Sequence, residues 1–256
     1  MFKTNQLLAP YTTFKIGGLA EYFFIAKTTK NLIFAIKEAK KLNFPYHIFG
    51  KASNVLISDQ GLKGLVIINS TDRIKILKNN QVELDSGVFL PKAILYLISQ
   101  GLTGLEVFSG IPATVGGATA VKMHGVGANW EDFIVKVNRY EDVITSVVLK
   151  LKSGDSTVAL ARAKSIQFDK RNQPQRSAGC IFKNPVGQSA GKIIDQELHL
   201  KGKQIGQAQI SLNHANFIVN LGGATSNDVL QLIKLIKNSA KKQLNLDLQL
   251  EIQIYE

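Results

Sequence analysis

Between Tyr22 and Ile68 the apolar residues switch from strand spacing to helix spacing and back, and this limits the possible folds more than any other feature. Tyr22 to Ile25 reads as a strand. In Thr29 to Leu42, Leu32, Ile33, Ile36 and Ala39 fall on one face of a helix. Tyr46 to Gly50 and Gly64 to Ile68 read as short strands. The opening is thus a small β-α-β-β unit.

The same reasoning extends along the chain. Arg73–Leu77 and Gln81–Asp85 form a hairpin through Lys78-Asn79-Asn80. Leu90 to Gln100 is a helix stopped by Gly101. Gly110 to Gly127 is too broken for regular structure, and Val143 to Leu151 is strand-like. After Phe168 the texture changes to short strands and turns. Thr225-Ser226-Asn227-Asp228 then opens a long helix with a capping box, its apolar face being Val229, Leu232, Ile233 and Ile236. In the closing LDLQLEIQIY, Leu246, Leu248, Leu250, Ile252 and Ile254 face one way and Asp247, Gln249, Glu251 and Gln253 the other, the pattern of a half-buried strand.

No apolar run reaches the roughly 18 residues of a membrane helix. The N-terminus lacks the charged-then-apolar order of a signal peptide. The one cysteine, Cys180, excludes an internal disulfide and any multi-cysteine metal site. A cytoplasmic protein without a metal centre is expected. The formal charge of +12 suits anionic partners. The lysines are dispersed, however, and carry no zinc-finger or RNA-recognition signature, so nucleic acid is not the expected partner.

Two segments suit an anionic group. FGKASNVLISDQG, Phe49 to Gly61, follows a strand and offers Gly50 for a sharp turn and Ser53 and Asn54 as donors. SGIPATVGGATAVKMHGVG, Ser109 to Gly127, brings the amides of Gly116-Gly117 close to whatever lies above them. Neither matches G-x-G-x-x-G or the Walker pattern. Each by itself also reads as an ordinary turn; together, on a basic chain, they favour a phosphate-bearing cofactor.

A run of blocks then carries a resemblance. TTFKIGG (Thr12–Gly18), GKASNVLISDQGLKGLVI (Gly50–Ile67), GLTGLEVFSGIPATVGG (Gly101–Gly117), SAGCIFKNP (Ser177–Pro185), LKGKQIGQAQIS (Leu200–Ser211), HANFIVNLGGAT (His214–Thr225) and the closing LQLEI occur in that order. Over nearly its whole length the chain resembles the UDP-N-acetylenolpyruvoylglucosamine reductase family, in its shorter, type II form. The resemblance implies an α+β fold: an FAD-binding fold of the vanillyl-alcohol-oxidase type in two subdomains, residues 1–70 and 71–165, and a C-terminal α+β substrate-binding domain, residues 166–256. It implies a flavoenzyme that uses NADPH and FAD to reduce the enolpyruvyl group of a UDP-sugar, giving UDP-N-acetylmuramate for peptidoglycan. No obligate protein partner is evident.

The resemblance also assigns roles. Cys180 matches the serine or cysteine that gives a proton to the substrate carbon beside the one receiving hydride, and Glu251 matches the late glutamate that supports it. Gly50, Ser53, Asn54, Val55, Gly110, Ile111, Thr114, Gly116 and Gly117 match the FAD segments. Asn184 and Lys201, with Gly202 and the block around His214, match the substrate side; His214 reads equally as a structural hydrogen-bonding residue. Taken on residue type alone, Cys180 would be an inert thiol and Glu251 a solvated strand carboxylate.

The match has gaps. Ala113 stands where the family has glycine, His124 where it has asparagine, and Leu250 where it has proline. The family's tyrosine–arginine pair, whose arginine holds the substrate carboxylate, has no counterpart in the shortened FIVKVNRYEDVITSVVLKLKSG. Arg139-Tyr140 is the nearest remnant, in reversed order, with Glu141 following. Arg139 is the first candidate for that cation, pointing toward Cys180 and Glu251, and a solvated strand end is its alternative. Arg162 and Arg171 are further candidates. Three rival functions stay open: a degenerate homologue that binds FAD or UDP-sugar without turnover, an oxidoreductase of this fold on another substrate, and a basic nucleic-acid-binding protein.

Overall fold

The computed structural model describes residues 2–170 and 173–256. The chain forms two compact units, each assembled from separate stretches: Met1–Tyr22, Ala52–Gly64 and Asn172–Glu256 in the first, Phe23–Lys51 and Leu65–Arg171 in the second.

In the second unit the helix Thr29–Lys41 starts where the Thr28 hydroxyl accepts the Asn31 N–H at 3.1 Å. Such a cap satisfies one of the first-turn amides that a helix leaves unbonded. Leu32, Ala35, Ile36 and Ala39 are buried; Ile33, expected on that face, is only half-buried. The strand Tyr46–Phe49 runs parallel to Leu62–Asn69, with Tyr46 opposite Leu65 and Phe49 opposite Ile68.

An antiparallel sheet follows, in the order Ile74–Ile76, Gln81–Asp85, Val143–Lys150, Ile134–Tyr140. Its first hairpin turns where expected. Asn79 and Asn80 both take the left-handed conformation, φ 58 and 55°, which asparagine tolerates better than most residues. Val82, Leu84, Val147 and Leu149 alternate into one core, which they share with Leu90, Ile94 and Leu97 of the helix Leu90–Ser99 and with Trp130.

Two helices of this unit depart from the sequence reading. The Gly110 to Gly127 stretch is not wholly irregular, because Val115–Ala120 is helical, with Thr114 accepting the Gly117 N–H. The helix Ser156–Lys170 has no counterpart in the pattern analysis. Its buried face is built from Ala159, Ala163 and Ile166, while the large apolar residues Val158 and Phe168 are exposed. A stripe of alanines gives little periodic signal, so hydrophobic spacing could not find it.

In the first unit the helix Ser226–Leu244 carries the expected capping box. Thr225 accepts the Asp228 N–H and the Asp228 carboxylate accepts the Thr225 N–H, at 3.1 and 3.0 Å. Its face of Val229, Leu232, Ile233 and Ile236 packs in a core with Phe182, Ile193, Ile194, Ile210 and Ile218. The small antiparallel sheet Gln204–Ile205, Ala208–Ile210, Ile218–Asn220 supplies the last two.

The closing segment alternates in burial as expected but is not one strand. Only Gln253–Tyr255 is a regular strand, parallel to Val55–Ile57. Before it, Leu250 bridges Phe182. An extended segment that changes partner part-way keeps its side-chain alternation and loses the continuous ladder. Among the described residues, no helix is long and apolar enough to cross a membrane.

Candidate active site

Cys180 lies in the first unit, half-buried, on a short extended segment held from both sides. On one side it bridges Phe217, and the Ile181 N–H donates to the Asn216 carbonyl at 2.8 Å. The Asn216 side chain, only 2% exposed, closes the contact: its Oδ1 accepts the Phe182 N–H at 3.0 Å and its Nδ2 donates to the Phe182 carbonyl at 2.8 Å. On the other side the Glu251 N–H donates to the Ile181 carbonyl at 2.8 Å, and the Lys183 N–H to the Gln249 carbonyl at 2.9 Å. The backbones of Cys180 and Glu251 are thereby set one residue apart across a hydrogen bond.

Two further segments of the same unit meet there. The Asn54 Nδ2 donates to the Glu251 carbonyl at 3.1 Å, and the Asn54 carbonyl accepts the Gln253 N–H at 2.9 Å. Val55 continues this contact as the strand partner of Gln253. Gly179, with φ at 80°, leaves open space that a Cβ would reach only to within 4.0 Å of the Ser53 carbonyl. The Thr13 hydroxyl donates to the Ser177 carbonyl at 2.7 Å, and the Thr13 N–H to the Ala52 carbonyl at 3.4 Å. Ser53, Asn54, Val55, Cys180 and Glu251 are therefore brought together.

The other predicted cofactor residues gather in the second unit. Gly50 packs so closely on Thr114 that a Cβ would stand 2.3 Å from its Oγ1. Among the described residues, none accepts from the backbone N–H of Gly50 or Lys51, so this loop has donors for an anion. The second glycine pair differs from expectation. The Gly116 N–H donates to the Ser86 carbonyl at 2.7 Å and the Gly117 N–H to the Thr114 hydroxyl at 3.3 Å. Gly116 allows close approach: a Cβ there would meet the Ser86 Cβ at 2.8 Å. Ile111 packs on the core and its N–H donates to the Phe108 carbonyl, leaving Gly110 at a turn beside it.

Asn184 accepts the Ala190 N–H at 3.0 Å and lines an open surface pocket of about 670 Å³ with Gln188, Lys192 and Glu197. Neither Cys180 nor Glu251 lines that pocket. Lys201 pairs with Asp195 at 2.9 Å. His214 stacks edge-on against Phe217, ring centroids 4.9 Å apart, and its Nδ1 accepts the Asn216 N–H. It thus packs against the two residues that hold the Cys180 segment, Asn216 and Phe217.

The geometry can now be set beside known proteins. A family model for the C-terminal domain of UDP-N-acetylenolpyruvoylglucosamine reductase matches residues 171–255, and one for an FAD binding domain matches residues 20–146. The UDP-N-acetylenolpyruvoylglucosamine reductase of Chlamydia felis (strain Fe/C-56) is 37% identical, over 96% of this chain and 92% of its own. That of Anoxybacillus flavithermus is 34% identical, over 98% and 93%. The crystal structure of the enzyme from Thermus caldophilus superposes with a TM-score of 0.84 at 34% identity, covering 100% of both chains. The chain belongs to the UDP-N-acetylenolpyruvoylglucosamine reductase family. Its α+β fold joins an FAD-binding domain to that family's C-terminal domain, and it is an FAD-dependent oxidoreductase.

Set against that family, the shortened segment is a tight hairpin. Tyr140 pairs with Val143, and Glu141 turns the chain at φ 53°. The Arg139 guanidinium donates to the Asp142 carbonyl of its own turn at 2.9 Å. The turn is tethered inside the second unit: Glu141 pairs with Lys40, and Lys37 lies 5.7 Å over the Tyr140 ring. Burial and the neighbouring Asp142 carboxylate hold the Tyr46 phenol above its usual pKa. Arg139 thus has the solvated strand-end role, the alternative given for it above. Arg162 lies 3.9 Å from Glu106. Arg171 lies outside the described residues.

The sequence reading missed Asn216 and Thr13 as positioning residues. Both stand inside quoted blocks, HANFIVNLGGAT and TTFKIGG, but their partners lie far along the chain and leave no local trace.

Proposed function

We infer that this chain reduces UDP-N-acetylglucosamine enolpyruvate to UDP-N-acetylmuramate, a precursor of peptidoglycan, with NADPH as the reductant. The observation that carries the reading is the convergence of five separate segments, around Thr13, Asn54, Cys180, Asn216 and Glu251, the backbones of Cys180 and Glu251 being joined through Ile181 at 2.8 Å. Family membership supplies the reaction class.

FAD, when bound, would supply the hydride chemistry between NADPH and the enolpyruvyl group. Cys180 gives its thiol proton to the neighbouring substrate carbon, where negative charge builds. Glu251 supports the proton donor. Gly50, Ser53, Asn54, Val55, Gly110, Ile111, Thr114, Gly116 and Gly117 are assigned to the cofactor, and Asn184 and Lys201 to the substrate. The labour divides as 1–70 and 71–165 for FAD and 166–256 for the UDP-sugar. The setting is the cytoplasm, where the nucleotide-sugar substrate is found, and no obligate protein partner is required.

A homologue that binds without turnover is not favoured, since the held pair Cys180–Glu251 and the long match with reductases both speak for an enzyme. NADPH oxidation that depends on added enolpyruvyl substrate is the test. Oxidation that is the same with and without it would refute the activity, and a purified protein carrying no flavin would refute the wider reading.

A further inference from the structure

We propose that Lys51 is the cation that neutralises the FAD diphosphate in this chain. The inference rests on the cofactor assignment above and names a side chain that assignment leaves out.

Three segments of the second unit meet at Lys51. Its neighbour Gly50 is pressed against Thr114, with no room for a Cβ. Phe89 bridges Thr114, its flanks fixed by the Leu90 N–H to the Ala113 carbonyl and the Val115 N–H to the Val88 carbonyl, each at 3.0 Å. The Lys51 ammonium lies 5.2 Å from the centroid of the Phe89 ring. A ring face attracts a cation electrostatically and leaves the ammonium's other directions free to donate. The long lysine stem is therefore directed onto Phe89, the residue that bridges Thr114.

The charge pattern points the same way. Between Phe49 and Val55, and between Gly110 and Ala120, Lys51 is the sole cationic residue, and neither stretch holds an acidic one. Among the described residues no carboxylate pairs with Lys51. The amides of Gly116 and Gly117 are engaged within the chain, which leaves fewer backbone donors for a dianion. A diphosphate set there meets the free N–H groups of the Gly50 loop and one oriented ammonium, and a charge-assisted hydrogen bond is the strongest such a loop can offer.

The experiment uses the full-length holoenzyme. FAD affinity is measured from the recovery of flavin fluorescence on dilution, at low and high sodium chloride, for the native chain, Lys51→Met and Lys51→Arg. Loss of one bond to a charged group predicts FAD binding weakened by about 10- to 100-fold in Lys51→Met. Its salt dependence should be shallower, and Lys51→Arg should restore most of both. ADP, which carries the diphosphate, should compete less well against the Met variant, whereas riboflavin should bind both proteins alike. Native FAD affinity and salt dependence in Lys51→Met would overturn the proposal. So would an equal loss for riboflavin, which would make Lys51 a loop-packing residue. A native protein that takes up no FAD would refute the cofactor assignment itself.

Discussion

The glycine contact of the second unit and the cysteine cluster of the first are built by opposite means. At Gly50 the structure works by omission: a missing Cβ lets one backbone lie against Thr114. At Cys180 it works by addition, since Asn216, Asn54 and Thr13 each use a side chain to tie down someone else's backbone. The first device tolerates no extra atom. At Asn216 the second tolerates no missing one, because a buried backbone group left unpaired is costly. A site that only binds can rest on close approach. A site that must deliver a proton to one carbon has to hold its donor in place.

The largest expected effect breaks the comparison at the cysteine. Cys180→Ala should lower turnover by about 10²- to 10⁴-fold, the usual loss when a positioned general acid is removed. Cys180→Ser should keep appreciable activity, and reduction of the flavin by NADPH should survive in both. Stopped-flow measurement of the two half-reactions is the check; equal losses in both would make Cys180 structural.

The clamp behind it is next. Asn216→Leu leaves the Phe182 N–H and carbonyl buried without partners, which should cost about 1–3 kcal/mol of stability. Urea unfolding should show it. Turnover should fall while FAD content stays, since none of the bonds lost belongs to the glycine contact. An unchanged unfolding midpoint would show that water or a neighbour replaces the clamp.

Gly50→Ala should weaken FAD retention through collision with Thr114, a strain of about 1–3 kcal/mol. Thr114→Ala removes the two nearest of the three atoms the new methyl meets, at 2.3 and 2.7 Å. The double variant should therefore retain flavin better than Gly50→Ala alone. Simple additivity in this cycle would mean that the two residues do not press on one another.

Arg139→Ala is the smallest. Its guanidinium serves its own turn, and turnover should stay within about twofold of native, as exposed substitutions usually do. A sharp fall with FAD content unchanged would restore Arg139 to the reaction.

Legibility in the sequence followed the range of each interaction. The helix Thr29–Lys41 was readable from its apolar face and the helix Ser226–Leu244 from its capping box and apolar face, because such signals lie within a few residues. The helix Ser156–Lys170 was not, because its buried stripe is mostly alanine and its large apolar residues face solvent. The pairing proposed for Cys180 and Glu251 came only through resemblance. Residue type alone gave an inert thiol and a solvated carboxylate, because nothing near either one in sequence names its neighbours.

By itself the sequence determined the alternation of strand and helix, the absence of a disulfide, the positive charge and the glycines that permit close approach. Each of these is a property of a residue or of a short window. Tertiary structure decided the rest. It bound Thr13 to Ser177 across 164 residues and Asn54 to Glu251 across 197. It closed the amides of Gly116 and Gly117 onto the chain itself and turned Arg139 back on its own hairpin. The physical reason is that a hydrogen bond acts over about 3 Å of space regardless of separation along the chain. Local pattern can say that a backbone is free to bend or a side chain free to donate; only the packed fold fixes what it meets.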